Sequence, residues 1–137
     1  MVKLLEKKKL QIETLCKDNG IELVINPHLK NGGWAHFGPI RKIEIKEIKS
    51  NVTYAYALHE LGHLLGTRQS KANSELEQEA AAWKYAREHA LEWTDGMEKV
   101  LQDCLEAYLN YAKNNRGKRI ALPLRGGFYW RVRENRE

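Results

Sequence analysis

The run KIEIKEIKSNVTYAYALHELGHLLG, residues 42–66, changes its period half-way along. Residues 42–48 alternate apolar and charged side chains, the pattern of a half-exposed strand. From residue 52 the apolar spacing lengthens. Tyr54, Leu58, Leu61 and Leu65 fall at i, i+4, i+7 and i+11, which lays a core stripe along a helix over 52–65. Gly66 supplies the stop. Upstream, residues 2–18 read as a helix with Leu5, Ile12, Leu15 and Cys16 on one side and Asn19-Gly20 at its end. Residues 21–26 (IELVIN) read as a strand. The turn-rich stretch 27–39 has room for a short strand at 34–37. Downstream, Ser74-Glu-Leu-Glu77 is a capping-box pattern that starts a helix running to about Leu91. Thr94 can cap a last helix, whose Leu101, Cys104, Leu105, Tyr108 and Ala112 are spaced for burial. After Gly126-Gly127, residues 128–133 (FYWRVR) read as a further strand. The order predicts an α+β fold: a small antiparallel or mixed sheet on the 52–65 helix, with further C-terminal helices.

The chain has 137 residues, 42% hydrophobic and 30% charged, the balance of a globular protein with one core. No apolar run approaches the ~20 residues of a membrane span. The N-terminus (MVKLLEKKKLQ) places lysines where a secretion signal needs its apolar stretch, so a cytoplasmic protein is expected. Cys16 and Cys104 are far apart and each sits on an apolar helical stripe, which reads as two free thiols in a reducing compartment. The net charge of +5 is unevenly spread. Residues 113–137 hold eight basic and two acidic residues, a net +6, which leaves residues 1–112 at −1. The expected division is therefore a domain over 1–115 and a basic segment over 116–137 docked on it. The nearly neutral main part argues against a nucleic-acid-binding domain.

Chemistry concentrates in His59-Glu60-Leu61-Gly62-His63. Two histidines four apart on a helix share a face, so both imidazoles can reach one metal ion. Glu60 is rotated by about 100° from His59. It is badly placed as a ligand but well placed to take a proton from a water and return it to a leaving amine. The plainer reading is two surface histidines on an ordinary helix. A catalytic zinc site usually has three protein ligands and one open position. Gln69 falls where one known spacing puts a third histidine, and glutamine is a poor zinc ligand. The next helix offers Glu75, Glu77 and Glu79. Glu77 is spent in the capping pattern. Glu79 is followed by Ala80, Ala81 and Ala82, small residues that let two helices approach closely, so it is the favoured third ligand with Glu75 next. The expected cofactor is Zn²⁺ on His59, His63 and Glu79.

HELGH at 59–63 and Glu79-Ala80-Ala81-Ala82-Trp83-Lys84-Tyr85-Ala86 together resemble the ImmA/IrrE-type zinc metallopeptidases. The resemblance covers roughly residues 40–90 and implies a minimal zincin-like domain. It maps the metal ligands onto His59, His63 and Glu79 and the general base onto Glu60. It also implies a protease with a narrow intracellular protein substrate, such as the repressor of a phage or mobile element.

Peptide hydrolysis needs a donor for the oxyanion. His36, in the Gly-Gly-Trp-Ala-His loop, and Tyr56, one turn before His59, are the sequence candidates. The strand at 42–48 is a candidate edge for pairing with an extended peptide, or an ordinary edge protected by its charges. His28 and His89 read as surface or satisfied histidines, and Trp83, Trp93 and Tyr108 as core aromatics. The mix of arginines with Phe128, Tyr129 and Trp130 is the composition of a single-strand nucleic-acid binder, or of a docked tail with solvated arginines. The competing function is thus a non-catalytic binding module with a structural metal or none, engaging a protein or nucleic acid through residues 116–137.

Overall fold

A computed structural model of the chain describes residues 3–115 and 121–135. The elements are α1 (Leu4–Asp18), β1 (Glu22–Ile25), β2 (Gly33–His36), β3 (Lys42–Ile45), α2 (Asn51–Leu65), α3 (Glu75–His89), α4 (Asp95–Asn114) and α5 (Phe128–Arg133). The described residues form an α+β fold of five helices and a three-stranded mixed sheet, with α1 and α2 against the sheet. The strands lie in the order β1-β3-β2, with β1 parallel and β2 antiparallel to β3.

The 42–45 strand keeps its expected alternation: Ile43 and Ile45 are buried while Lys42 and Glu44 are half-exposed. It is nevertheless the centre of the sheet and not an edge. Alternation reports one covered face, and it says nothing about what pairs along the sides. Both sides of β3 are occupied, so an added peptide cannot pair there. The edge nearest the histidines is β2.

Helix starts follow local chemistry. The Ser50 hydroxyl accepts from Thr53 N–H at 3.2 Å, and the Thr53 hydroxyl accepts from Ser50 N–H at 3.0 Å, a reciprocal cap for α2. Ser74 and Thr94 cap α3 and α4 in the same sense, accepting from Glu77 and Met97 N–H. The Glu77 carboxylate itself lies 3.8 Å from Arg68 Nη1. Helix α2 is less amphipathic in place than in sequence. Ala55, Ala57, His59, Glu60 and Gly62 are buried as well as the stripe, because α2 lies between the sheet, α3 and α4. Gly62 marks the closest approach of α2 and α3: a Cβ there would stand 2.4 Å from the carbonyl oxygen of Ala82. The Ala80–Ala82 run does bring the two helices together.

Residues 128–133 form a helix, not a strand. Tyr129 and Val132, three apart, face inward. The Tyr129 hydroxyl donates to Leu105 O at 2.6 Å on α4, and Arg87 Nη2 of α3 donates to Val132 O at 3.0 Å. Helical spacing satisfies both neighbours, and the sheet is not at hand to extend. Trp83 is fully buried, as expected of a core aromatic, but Tyr108 is 42% exposed. Cys16 and Cys104 are both free thiols. Burial pushes the Cys16 thiol up to about 11.

Candidate metal centre

His59 and His63 leave the last two turns of α2 toward α3, where Glu79 meets them. His59 Nε2 lies 3.0 Å from Glu79 Oε1, and His63 Nε2 lies 2.8 Å from Glu79 Oε2. The three ligand atoms lie within 4.8 Å of one another, so this group can hold a metal ion. Glu75 is exposed and the Glu77 carboxylate lies 3.8 Å from Arg68 Nη1, so of the three α3 carboxylates it is Glu79 that meets the histidines.

The other ring nitrogens fix what the convergent ones can do. Gln69 Nε2 donates to Gln78 O at 2.7 Å, so its Oε1 must be the atom that meets His63 Nδ1 at 3.2 Å. An amide oxygen only accepts, so His63 carries its proton on Nδ1. Likewise His59 Nδ1 faces the Glu60 carboxylate at 3.1 Å and must donate. Both Nε2 lone pairs are then aimed at an acceptor-only carboxylate. Protons or a cation must stand between them. The free protein answers with charge. Burial alone would lower the His59 pKa, but the Glu60 and Glu79 carboxylates outweigh it and raise it to about 9. Burial would raise Glu79, but His59 and His63 hold it down at about 2. Two neutral imidazoles and a carboxylate are a donor set that a divalent cation fits. Gln69, set aside as a ligand, orients one instead.

The cluster floors a cleft of about 510 Å³ between β2, α2, α3 and α4. Glu60 lines it and keeps one carboxylate oxygen beyond the His59 contact. Gly33, at φ +144°, makes room for it: a Cβ there would stand 2.8 Å from Glu44 O and 3.1 Å from Glu60 Cγ. Trp83 backs the site, its ring stacked on His59 at 4.3 Å.

The sequence candidates for an oxyanion donor fare differently. His36 is exposed at the end of β2 and does not line the cleft, although Gly33, Trp34 and Ala35 of the same strand do. Tyr56 does line it, but its hydroxyl is paired with Cys104 Sγ at 3.4 Å. Tyr108 was hidden from sequence reading by the apolar stripe of α4. Its hydroxyl faces the carboxylates: burial, then Glu79 and Glu60, push its pKa well above the ordinary phenol range. The one sequence signal for Tyr108 is its position at the margin of that stripe. His28 is exposed, and His89 Nδ1 donates to Tyr85 O at 2.9 Å, so both stand outside the site. Comparison with protein-family models, with curated proteins and with solved structures finds no match.

Proposed function

We propose that the protein is a zinc-dependent endopeptidase acting on a specific intracellular protein. The observation that carries the reading is the convergence of two Nε2 lone pairs and the Glu79 carboxylate beside Glu60, on the floor of an open cleft. Nitrogen and oxygen donors in that number suit zinc and leave room for water. A bound zinc ion supplies Lewis acidity and lowers the pKa of a coordinated water toward ~7. The chain's own groups do the rest. Glu60 accepts the proton of the attacking water and delivers it to the departing amine nitrogen. The outer side of β2 offers unpaired backbone along the cleft, on which an extended peptide can lie. Gln69 and Glu60 hold the two imidazoles in the metal-binding tautomer. The resemblance adds one candidate substrate, a repressor of a phage or mobile element.

The competing binding-module reading draws less support. Of the tail aromatics, Tyr129 is buried and Phe128 and Trp130 pack on the core, so they form no open stacking surface. The test is metal content plus cleavage of a mixed peptide library. The expected result is one zinc per chain, with Glu60→Gln retaining zinc and losing cleavage by at least about 100-fold. Equal cleavage by the Glu60→Gln protein, or a wild-type chain that takes up no zinc, refutes the proposal.

A further inference from the structure

We infer that Tyr108 is the hydrogen-bond donor that holds the oxyanion when the scissile carbonyl is attacked. This rests on the peptidase reading above. A donor for that role must reach the cleft, stand on a rigid element and carry a hydrogen on the open side of the cleft that an incoming oxygen can take over. Most polar groups of the cleft fail one condition. Tyr56 is bonded to Cys104, and its ring is wedged against Gly32, where a Cβ would come within 2.2 Å. Gln78 Nε2 already donates to Ser70 O and Asn73 O, each at 3.0 Å. Trp83 Nε1 has no partner among the described residues but is shut off from solvent. Asn31 is exposed in the loop before β2.

Tyr108 meets all three conditions. It projects from α4, which is anchored by buried Leu105, Leu109 and Ala112 on either side of it. Its side chain lines the cleft, open to solvent on one side, and its hydroxyl faces Glu79 and Glu60. An approaching carbonyl oxygen takes over the hydrogen that the hydroxyl otherwise directs at the carboxylates.

In the step itself the water oxygen bonds to the carbonyl carbon, and the C=O π pair moves onto oxygen. Glu60 takes the water proton. Tyr108 donates a hydrogen bond to the new oxyanion and keeps its proton throughout. The C=O bond then re-forms, the C–N bond breaks, and Glu60 passes its proton to the amine nitrogen.

The experiment uses the zinc-loaded full chain and two probes measured by calorimetry. One is a phosphinic tetrapeptide, whose tetrahedral PO₂⁻ centre carries the geometry and charge of the oxyanion. The other is acetohydroxamate, a planar chelator that binds a metal as its own anion but lacks the tetrahedral centre. Tyr108→Phe, at a half-exposed position, is expected to keep one zinc per chain and its melting temperature. It is expected to bind the phosphinic peptide about 10-fold or more weakly while holding acetohydroxamate within about 2-fold. Unchanged affinity for the phosphinic peptide, equal loss of both probes, or loss of zinc from Tyr108→Phe overturns the role of Tyr108 and leaves the zinc reading standing. A wild-type chain without zinc overturns both.

Discussion

Two charged side chains are buried at the two ends of α2, and they are buried on different terms. Lys8 is 4% exposed and Glu79 is 9% exposed. Lys8 Nζ is met by Asn51 Oδ1 at 2.6 Å and Glu92 Oε2 at 2.7 Å, and it lies 5.3 Å from the Tyr54 ring centroid. That cluster is closed: one cation, one anion, and donors that match acceptors. The Glu79 cluster is open. Two carboxylates face two imidazoles whose Nδ1 protons are already committed. A buried charge that the chain balances by itself is structural. One that the chain leaves short of positive charge is built for something that arrives later.

Removing Glu79 should break this contrast most severely. Glu79→Gln keeps the shape and loses the charge, so zinc affinity should fall by more than the roughly 10- to 100-fold typical of losing a group that only hydrogen-bonds a ligand. In wild type, zinc at about 100 times its Kd should add about 2.7 kcal/mol, or roughly 10 °C in Tm. The Glu79→Gln protein should melt at the same temperature with or without zinc, which differential scanning calorimetry reads directly. Gln69→Leu probes the next layer. It leaves all three ligands in place but frees His63 Nδ1, and zinc affinity should drop by about 10- to 100-fold by competition titration. An unchanged affinity would mean that the Gln69 contact does not set the tautomer.

Much of this is legible in the sequence. The period change at residues 42–66 places a strand against a helix, the four-residue spacing puts both histidines on one face, and the alanines after Glu79 mark a close helix crossing. What escaped depends on long-range packing. Alternation cannot tell a central strand from an edge, and β3, which reads as an edge, lies between β1 and β2. FYWRVR carries no local mark of helix, and its form is set by α3 and α4. Tyr108 sits at the margin of an apolar stripe, and only the position of α4 beside the cleft turns its hydroxyl toward Glu79. Gln69 is ten residues before Glu79, and nothing in the sequence links it to His63.

Glu98 is a third case, a half-buried carboxylate in a closed cluster. Burial would raise its pKa, but Arg87 outweighs this, with Gln102 and Trp93 adding donors, and holds it below the ordinary value. Arg87 grips it through Nε at 3.0 Å and Nη2 at 2.8 Å. A depressed carboxylate stabilises the fold above its unfolded pKa, and that contribution is lost as pH falls through the lower folded value. Glu98→Gln should therefore cost about 1 kcal/mol at pH 7, given the partly exposed setting. The gap to wild type should close in acid. Urea melts at pH 7 and across the acid range decide it: a gap that stays constant with pH would remove the ionic part of the argument.

Lys8→Met should have the smallest effect, and it tests the comparison from the closed side. Breaking a buried pair usually costs about 3–5 kcal/mol, because the abandoned partner stays buried and charged. Here the abandoned partner is Glu92, whose side chain is 41% exposed and can turn to water. Methionine fills the space of the lysine stem without its charge, so the net change should stay within about 1 kcal/mol. Zinc binding should be untouched, since Asn51 and Tyr54 lie at the far end of α2 from His59 and His63. A Lys8→Met protein that lost zinc would show that the two clusters communicate along α2. The division between a self-balanced charge and a ligand-dependent one would then fail.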